Sequence, residues 1–275
     1  MAKKTITMRD KTIFDGVLIK FIFKGIIKLW FKLSGWKVST VIPEGAGITV
    51  AAPHTSNWDF IYALSAAILH DVKIYFSIKD SWCKLPVIGS IILWLGAIPI
   101  DRSLKAQGQI NLIKDFVEAH KDQRIFFIFT PEGTRGKVKK WAAGFYFMAE
   151  KCNLPIFLSK ADYRTKEAGV FHTYQLTGDR KTDIQAIQAA YKSVCGKFPE
   201  KQFPDYEGPL PEMSETEANT LRKMYSQTDL SVHSSDVLTR FFDKGLLEKV
   251  ESAEIKYQLS SVGKGSVLHL FPVLG

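Results

Sequence analysis

Cysteine is scarce in this chain. Cys83, Cys152 and Cys195 are the only three in 275 residues. Their wide spacing and odd number argue against a disulfide framework and against a zinc site, and fit a reducing compartment. Acid is short as well, with 28 Asp and Glu against 37 Lys and Arg, a net charge of +9. No internal repeat is visible. The most apolar stretch, "LPVIGSIILWLGAIPI" at 85–100, falls short of the roughly 20 residues needed to span a bilayer. The N-terminal region has neither an unbroken apolar core nor a small-residue cleavage site, so it does not read as a signal peptide. Phenylalanine is plentiful, at 19 residues, and apolar residues reach 46%. That is enough for a sizeable core in one large domain, or in one domain with a small companion.

The positive charge is concentrated. Residues 1–37 carry nine Lys or Arg against two Asp, so 9 − 2 = +7. Within them, Lys20, Lys24, Lys28 and Lys32 recur every four residues, along one drifting helical stripe, with Ile, Leu, Phe and Trp between them. A transmembrane helix would have to bury these lysines at roughly 3 kcal/mol each. An interfacial helix instead places lysines at anionic headgroups and aromatics at the acyl boundary. A helix packed on its own domain, with its lysines in water, fits the same pattern. The expectation is a basic amphipathic arm, residues 1–37, on an anionic membrane surface.

Beyond the arm, apolar runs alternate with amphipathic segments. Strands are predicted at 47–52, 72–78, 97–100, 124–130, 155–163 and 169–178, and helices at 59–70, 85–96, 105–120, 141–152 and 182–197. Alternation of this kind implies an α/β fold with a mostly parallel sheet flanked by helices. The proline-rich stretch 197–215 reads as a linker. The resulting division is an arm at 1–37, a main domain at 38–200, a linker at 201–214 and a small α+β module at 215–275. That module predicts helices at 215–226 and 235–249 and a hairpin within 255–271. Its helix, "GLLE" turn and wing resemble a winged helix. Residues 212–275 hold seven basic and nine acidic residues, so 7 − 9 = −2. A DNA-binding face would be basic, so no nucleic-acid partner is expected, and a protein-contact or regulatory role fits better.

Three stretches gather chemistry where strands end, which is where open α/β sheets place their sites. "PHTSNWDF" at 53–60 sets His54 and Asp59 five positions apart, just past the first strand. This pairing suits a general base with an orienting acid, while a loop that holds both by chance, expected roughly one time in three, is the alternative. "FTPEGTRGK" at 129–137 puts Glu132, Gly133, Thr134 and Arg135 past a central strand. The string EGTR arises by chance in a chain this long with a probability on the order of one in a thousand. Arg135 can fork onto phosphate oxygens, Thr134 can donate one more bond, and Gly133 lets the backbone come close. A Glu132–Arg135 pair that simply pins the turn is the alternative. "GAIPIDRS" at 96–103 places Arg102 after a short strand, where a solvated charge would also fit.

In order and spacing, His54 with Asp59, "GAIPIDR", "PEGTR" and "LPIFLSKADY" resemble the blocks of the glycerolipid acyltransferases. The resemblance is to the phosphatidate-forming, PlsC-like 1-acylglycerol-3-phosphate acyltransferases. The likeness covers roughly residues 40–200. "HTSNWDF" and the "TGD" at 177–179 look like a small bacterial branch of that family. A second proline usual in the fourth block is absent, with Leu158 and Ser159 in its neighbourhood. The resemblance implies the glycerol-phosphate acyltransferase fold and transfer of a fatty acyl group to the hydroxyl of a lysophospholipid. The donor would be acyl-CoA or acyl-carrier protein, used as a substrate. No cofactor and no metal are implied. His54 and Asp59 would be catalytic. Arg102, Glu132, Gly133, Thr134 and Arg135 would hold the acceptor, and the apolar 85–95 segment either lines an acyl slot or is plain core. The location implied is the cytoplasmic face of a membrane, peripherally bound, the bacterial inner membrane in particular. Other acceptors, such as a lyso-ornithine lipid or a lipid-A-like sugar, match the same blocks.

Overall fold

The computed structural model describes residues 9–100, 106–120, 123–227, 229–250 and 256–271. The strands are β1 (Lys37–Val38), β2 (Ala46–Ala51), β3 (Lys73–Lys79), β4 (Ala97–Ile100), β5 (Ile125–Phe129), β6 (Ile156–Asp162), β7 (Glu167–Tyr174), β8 (Leu247–Val250) and β9 (Lys256–Leu259). The helices are α1 (Val17–Ser34), α2 (Asn57–Leu69), α3 (Asp80–Cys83), α4 (Ile88–Trp94), α5 (Ala106–Ala119), α6 (Gly144–Cys152), α7 (Arg180–Tyr191), α8 (Glu215–Tyr225), α9 (Ser235–Asp243) and α10 (Ser261–Leu270). Seven strands form one sheet in the order β1-β7-β6-β2-β5-β3-β4, and β8 pairs with β9 in a second. All pairings in the large sheet are parallel except β6 with β7. The predicted α/β class is therefore the observed one.

The central strands β2 and β5 are mostly apolar because the sheet is covered on both faces. Ile48, Val50, Ile125 and Phe127 are fully buried on one side, in a core that includes Phe145 and Tyr191. Phe126 and Phe157 face the other side with Ile27, Phe31 and Trp36. At Gly47 an added Cβ would lie 2.2 Å from the Phe157 ring, so a side chain there would displace a fully packed aromatic. The Tyr191 hydroxyl donates to the Val50 carbonyl at 2.7 Å and accepts from Ser159 N–H at 3.0 Å, which pins β2 to β6 just before the chain leaves the sheet at His54.

The arm lies on the domain. In α1, Ile27 and Phe31 are buried, and the Trp30 ring stacks on Tyr62 of α2 with centroids 5.1 Å apart. Lys20 and Lys24 both bond to Asp71, Lys20 at 2.9 Å, so half of the lysine stripe turns toward the protein. The outward face is apolar: Val17, Leu18, Phe21 and Leu33 are 72–80% exposed. Among the described residues, no helix is long and apolar enough to cross a membrane.

Two expectations for the C-terminal region change. The described residues 256–271 do not form a hairpin within themselves. The hairpin is β8–β9, and the following segment is α10. The helix predicted to 249 ends at Asp243, because Gly245 takes φ +70° and β8 begins two residues later. Strand pairing then decides what local propensity left open. Helix α10 packs tightly on α7, where a Cβ at Gly265 would meet the Ala189 carbonyl at 2.6 Å. His269 on α10 stacks on Phe171 and bonds to the Ala190 carbonyl at 2.7 Å. The proline-rich stretch is also tied down. Gln202 is fully buried, and its side chain holds Gly196 N–H at 2.9 Å and the Val194 carbonyl at 3.1 Å. The "TGD" stretch caps α7: Asp179 accepts from Lys181 N–H at 2.9 Å and from the Thr182 hydroxyl at 2.8 Å.

Candidate active site

The site forms at the carboxyl edge of the parallel sheet, where β2 and β5 end side by side. After β2 the chain passes Pro53 and reaches Ser56, the N-cap of α2. Ser56 and Asp59 form a capping box: Ser56 N–H donates to Asp59 Oδ2 at 2.8 Å, and the Ser56 hydroxyl accepts from Trp58 N–H at 3.2 Å. The same Asp59 oxygen accepts Thr55 N–H at 2.8 Å and lies 3.3 Å from His54 Nδ1. Local chain geometry thus delivers the carboxylate to the imidazole, and the first turn of α2 is an electrostatically favourable place for its charge. Because Asp59 takes Nδ1, the other ring nitrogen of His54 is left to act toward the cleft that the residue lines. Asp59 Oδ1 accepts from the Tyr163 hydroxyl at 2.8 Å.

Glu132 comes from the loop after β5 and supports the same turn from behind. Its Oε1 accepts His54 N–H at 3.1 Å, while Oε2 is buried without a hydrogen-bond partner. Burial pushes its carboxyl from the ordinary 4.5 up to about 7, an effect that the His54 N–H partly offsets and the Asp59 charge reinforces. A group with a raised folded value binds more protons folded than unfolded between pH 4.5 and 7. It therefore costs stability as pH rises through that window. Glu132→Gln keeps an acceptor for His54 N–H and removes the charge. The variant should gain stability relative to the parent by about 3 kcal/mol between pH 4.5 and 8. Chemical denaturation at several pH values checks this. A constant difference across that range would mean that Glu132 does not titrate near neutrality.

The rest of the loop is exposed. Gly133 takes φ +65° in open space, so its conformation and not crowding calls for glycine. The Thr134 hydroxyl accepts Gly136 N–H at 3.3 Å and so serves its own loop. Gly133 and Arg135 line the cleft with His54 and Asp59. The cleft holds about 870 Å³, at the upper end of the roughly 300–1,000 Å³ usual for small-ligand sites. Its remaining wall is largely apolar and includes Phe60, Phe76, Ile78 and Ile92. The predicted 85–95 segment supplies Ile92 and Leu95 to that wall. Arg102 lies outside the described residues.

The stretch after α7 buttresses the site. Phe198 N–H donates to the Thr55 hydroxyl at 3.2 Å, and the Lys137 ammonium donates to the Gln202 carbonyl at 2.8 Å. A Cβ at Gly196 would stand 3.0 Å from Pro53 and 3.1 Å from Thr55. The structure brings the sequence candidates His54, Asp59, Gly133 and Arg135 to one cleft, whereas this strap and Tyr163 were not among the candidates. Ser56-x-x-Asp59 was the available sign that Asp59 also caps α2. Among the described residues, no group of three or more His, Cys, Asp or Glu is placed to hold a metal ion.

An imidazole oriented by a carboxylate, in a largely apolar cleft, is chemically able to take a proton from a hydroxyl bound there. The family model described as Acyltransferase matches residues 37–157, from β1 into β6. That match covers less than half of the chain; it is consistent with the resemblance to the glycerolipid acyltransferases and supports acyl transfer as the class of chemistry. No curated protein and no solved structure matches the chain.

Proposed function

We propose that the protein transfers a fatty acyl group from an acyl thioester to the free hydroxyl of 1-acylglycerol-3-phosphate, giving phosphatidate. Coenzyme A or an acyl-carrier protein would carry the thioester. The observation that supports this most strongly is the His54–Asp59 contact at 3.3 Å within a cleft that also presents Arg135 and an apolar wall. In the reaction, His54 takes the acceptor's hydroxyl proton as the oxygen attacks the thioester carbonyl. The tetrahedral intermediate collapses, the carbon–sulfur bond breaks, and the imidazolium returns the proton to the departing thiolate. Asp59 stabilises the imidazolium while it exists. No protein nucleophile is required, because the thioester is already activated.

Arg135 would hold the acceptor's phosphate through a charge-assisted fork. Arg135→Ala should raise KM for the lysophospholipid by about tenfold to 100-fold, with the donor KM little changed. Steady-state kinetics in both substrates checks this, and an effect confined to the donor would place Arg135 at the thioester's anionic carrier. The acceptor resides in a bilayer, and the exposed apolar face of α1, with Lys28 and Lys32 beside it, suits peripheral contact with an anionic membrane surface. The acceptor assignment is tested by offering one labelled acyl-CoA with lysophosphatidate, a lyso-ornithine lipid and a lipid-A-like sugar in parallel. Preferred labelling of lysophosphatidate supports the proposal, and preferred labelling of either alternative replaces it.

A further inference from the structure

We propose that Tyr163 is a positioning residue for acyl transfer, whose phenol holds the Asp59 carboxylate in the plane that presents His54 to the cleft. This rests on the His54–Asp59 reading above. The two oxygens of Asp59 are served differently. Oδ2 takes the Thr55 and Ser56 N–H groups, both at 2.8 Å, and faces His54 Nδ1 at 3.3 Å. Those contacts converge on one atom, and the terminal torsion of an aspartate is soft. Alone they leave the carboxylate plane free to swing about that atom. The Tyr163 hydroxyl at 2.8 Å from Oδ1 closes the arrangement, and no other hydrogen bond reaches Oδ1 among the described residues. Asp59 is buried, so loss of this donor would leave half of a carboxylate unsolvated.

Tyr163 is itself fixed. Its ring meets Trp36 edge-on at 5.1 Å and Tyr62 edge-on at 5.7 Å. Its N–H donates to the Cys195 carbonyl at 2.9 Å, in the strap that also holds Thr55. Burial, together with the Asp59 charge, pushes its phenol pKa well up, so the group remains a donor throughout the working pH range. The other charged or titratable groups around the pair are Glu132, behind the His54 turn, and Arg135 and Lys160 on the cleft wall, with Tyr62 on the far side of Tyr163. Tyr163 follows β6 directly and lies beyond the residues that match the family model. The oriented pair therefore draws on a part of the chain outside that match.

Tyr163→Phe keeps the ring packing and removes only the donor. It should lower kcat by about tenfold, the smaller effect expected when a hydrogen bond to a charged group is lost. Both KM values should stay within about twofold. In an Asp59→Ala background the same change should cost nothing further, because its effect passes through that carboxylate. Site-specific 3-fluorotyrosine at position 163, which retains the donor and the shape, should keep kcat within about twofold of the parent and covers the case in which the Phe variant unfolds. Equal losses in both backgrounds, or a fluorotyrosine protein that has lost activity, would mark a general packing effect and overturn the proposal. His54→Ala is measured alongside. If it is inactive while Tyr163→Phe turns over like the parent, the positioning role is wrong. If His54→Ala is fully active, the catalytic pair itself is wrong.

Discussion

Replacement of His54 by alanine lowers turnover by about 10²-fold or more while the protein remains folded. The side chain is only 14% exposed, so alanine removes some packing, but the main-chain N–H bonded to Glu132, which alanine retains, still anchors the turn. Asp59→Ala should lose about as much activity but behave differently in stability. Asp59 accepts Thr55 and Ser56 N–H as part of the α2 capping box, so its removal uncaps the helix at a cost of about 1 kcal/mol or more. The two variants are thus expected to match in steady-state assays and to separate in thermal unfolding, with Asp59→Ala melting lower. A folded His54→Ala enzyme with parental kcat would remove the proposed mechanism.

The second large effect concerns α1. Its outward face offers Leu18, Phe21 and Leu33 to the surroundings, while Lys20 and Lys24 are occupied with Asp71. Membrane attachment should therefore be chiefly apolar. Serine at Leu18, Phe21 and Leu33 together should weaken binding to anionic vesicles by 10²-fold or more, taking about 1 kcal/mol or more per side chain. Glutamine at Lys28 and Lys32 should cost up to about 1 kcal/mol each at low salt and less at high salt, because these charges act through a screened field. Vesicle sedimentation at two salt concentrations separates the contributions. Unchanged binding by the triple serine variant would mean that α1 does not form the contact. Glutamine at Lys20 and Lys24 should instead loosen α1 from the domain.

Much of this was legible in the sequence, for identifiable reasons. Central strands such as "GITVAA" and "RIFFIFT" are covered on both faces, so they are mostly apolar and rich in β-branched or aromatic residues. Residues at the ends of such strands are natural site candidates, which is why His54, Asp59 and the EGTR loop stand out in the sequence. What was hidden depends on tertiary approach. Nothing in "SKADY" says that Tyr163 meets Asp59, a contact across 104 residues. The resemblance implies a place for Glu132 at the acceptor, and nothing in the sequence says that its Oε1 also accepts the His54 main-chain N–H. The spacing of Lys20 and Lys24 marks a stripe but not the Asp71 partner that draws the stripe inward. Near the C-terminus, "IKYQLSSVGKG" contains β-formers and turn residues that suit a hairpin, whereas the pairing of Lys256–Leu259 with Leu247–Val250 releases the rest into α10.

The most direct test uses the intact protein, acyl-CoA and lysophosphatidate in mixed vesicles, with free thiol and phosphatidate quantified together. Thiol release should depend on lysophosphatidate, match phosphatidate formation one for one, leave no acyl group covalently bound to the protein, and disappear in His54→Ala. Thiol release that proceeds equally without the acceptor, or that survives intact in the folded His54→Ala protein, would contradict acyl transfer by the His54–Asp59 pair.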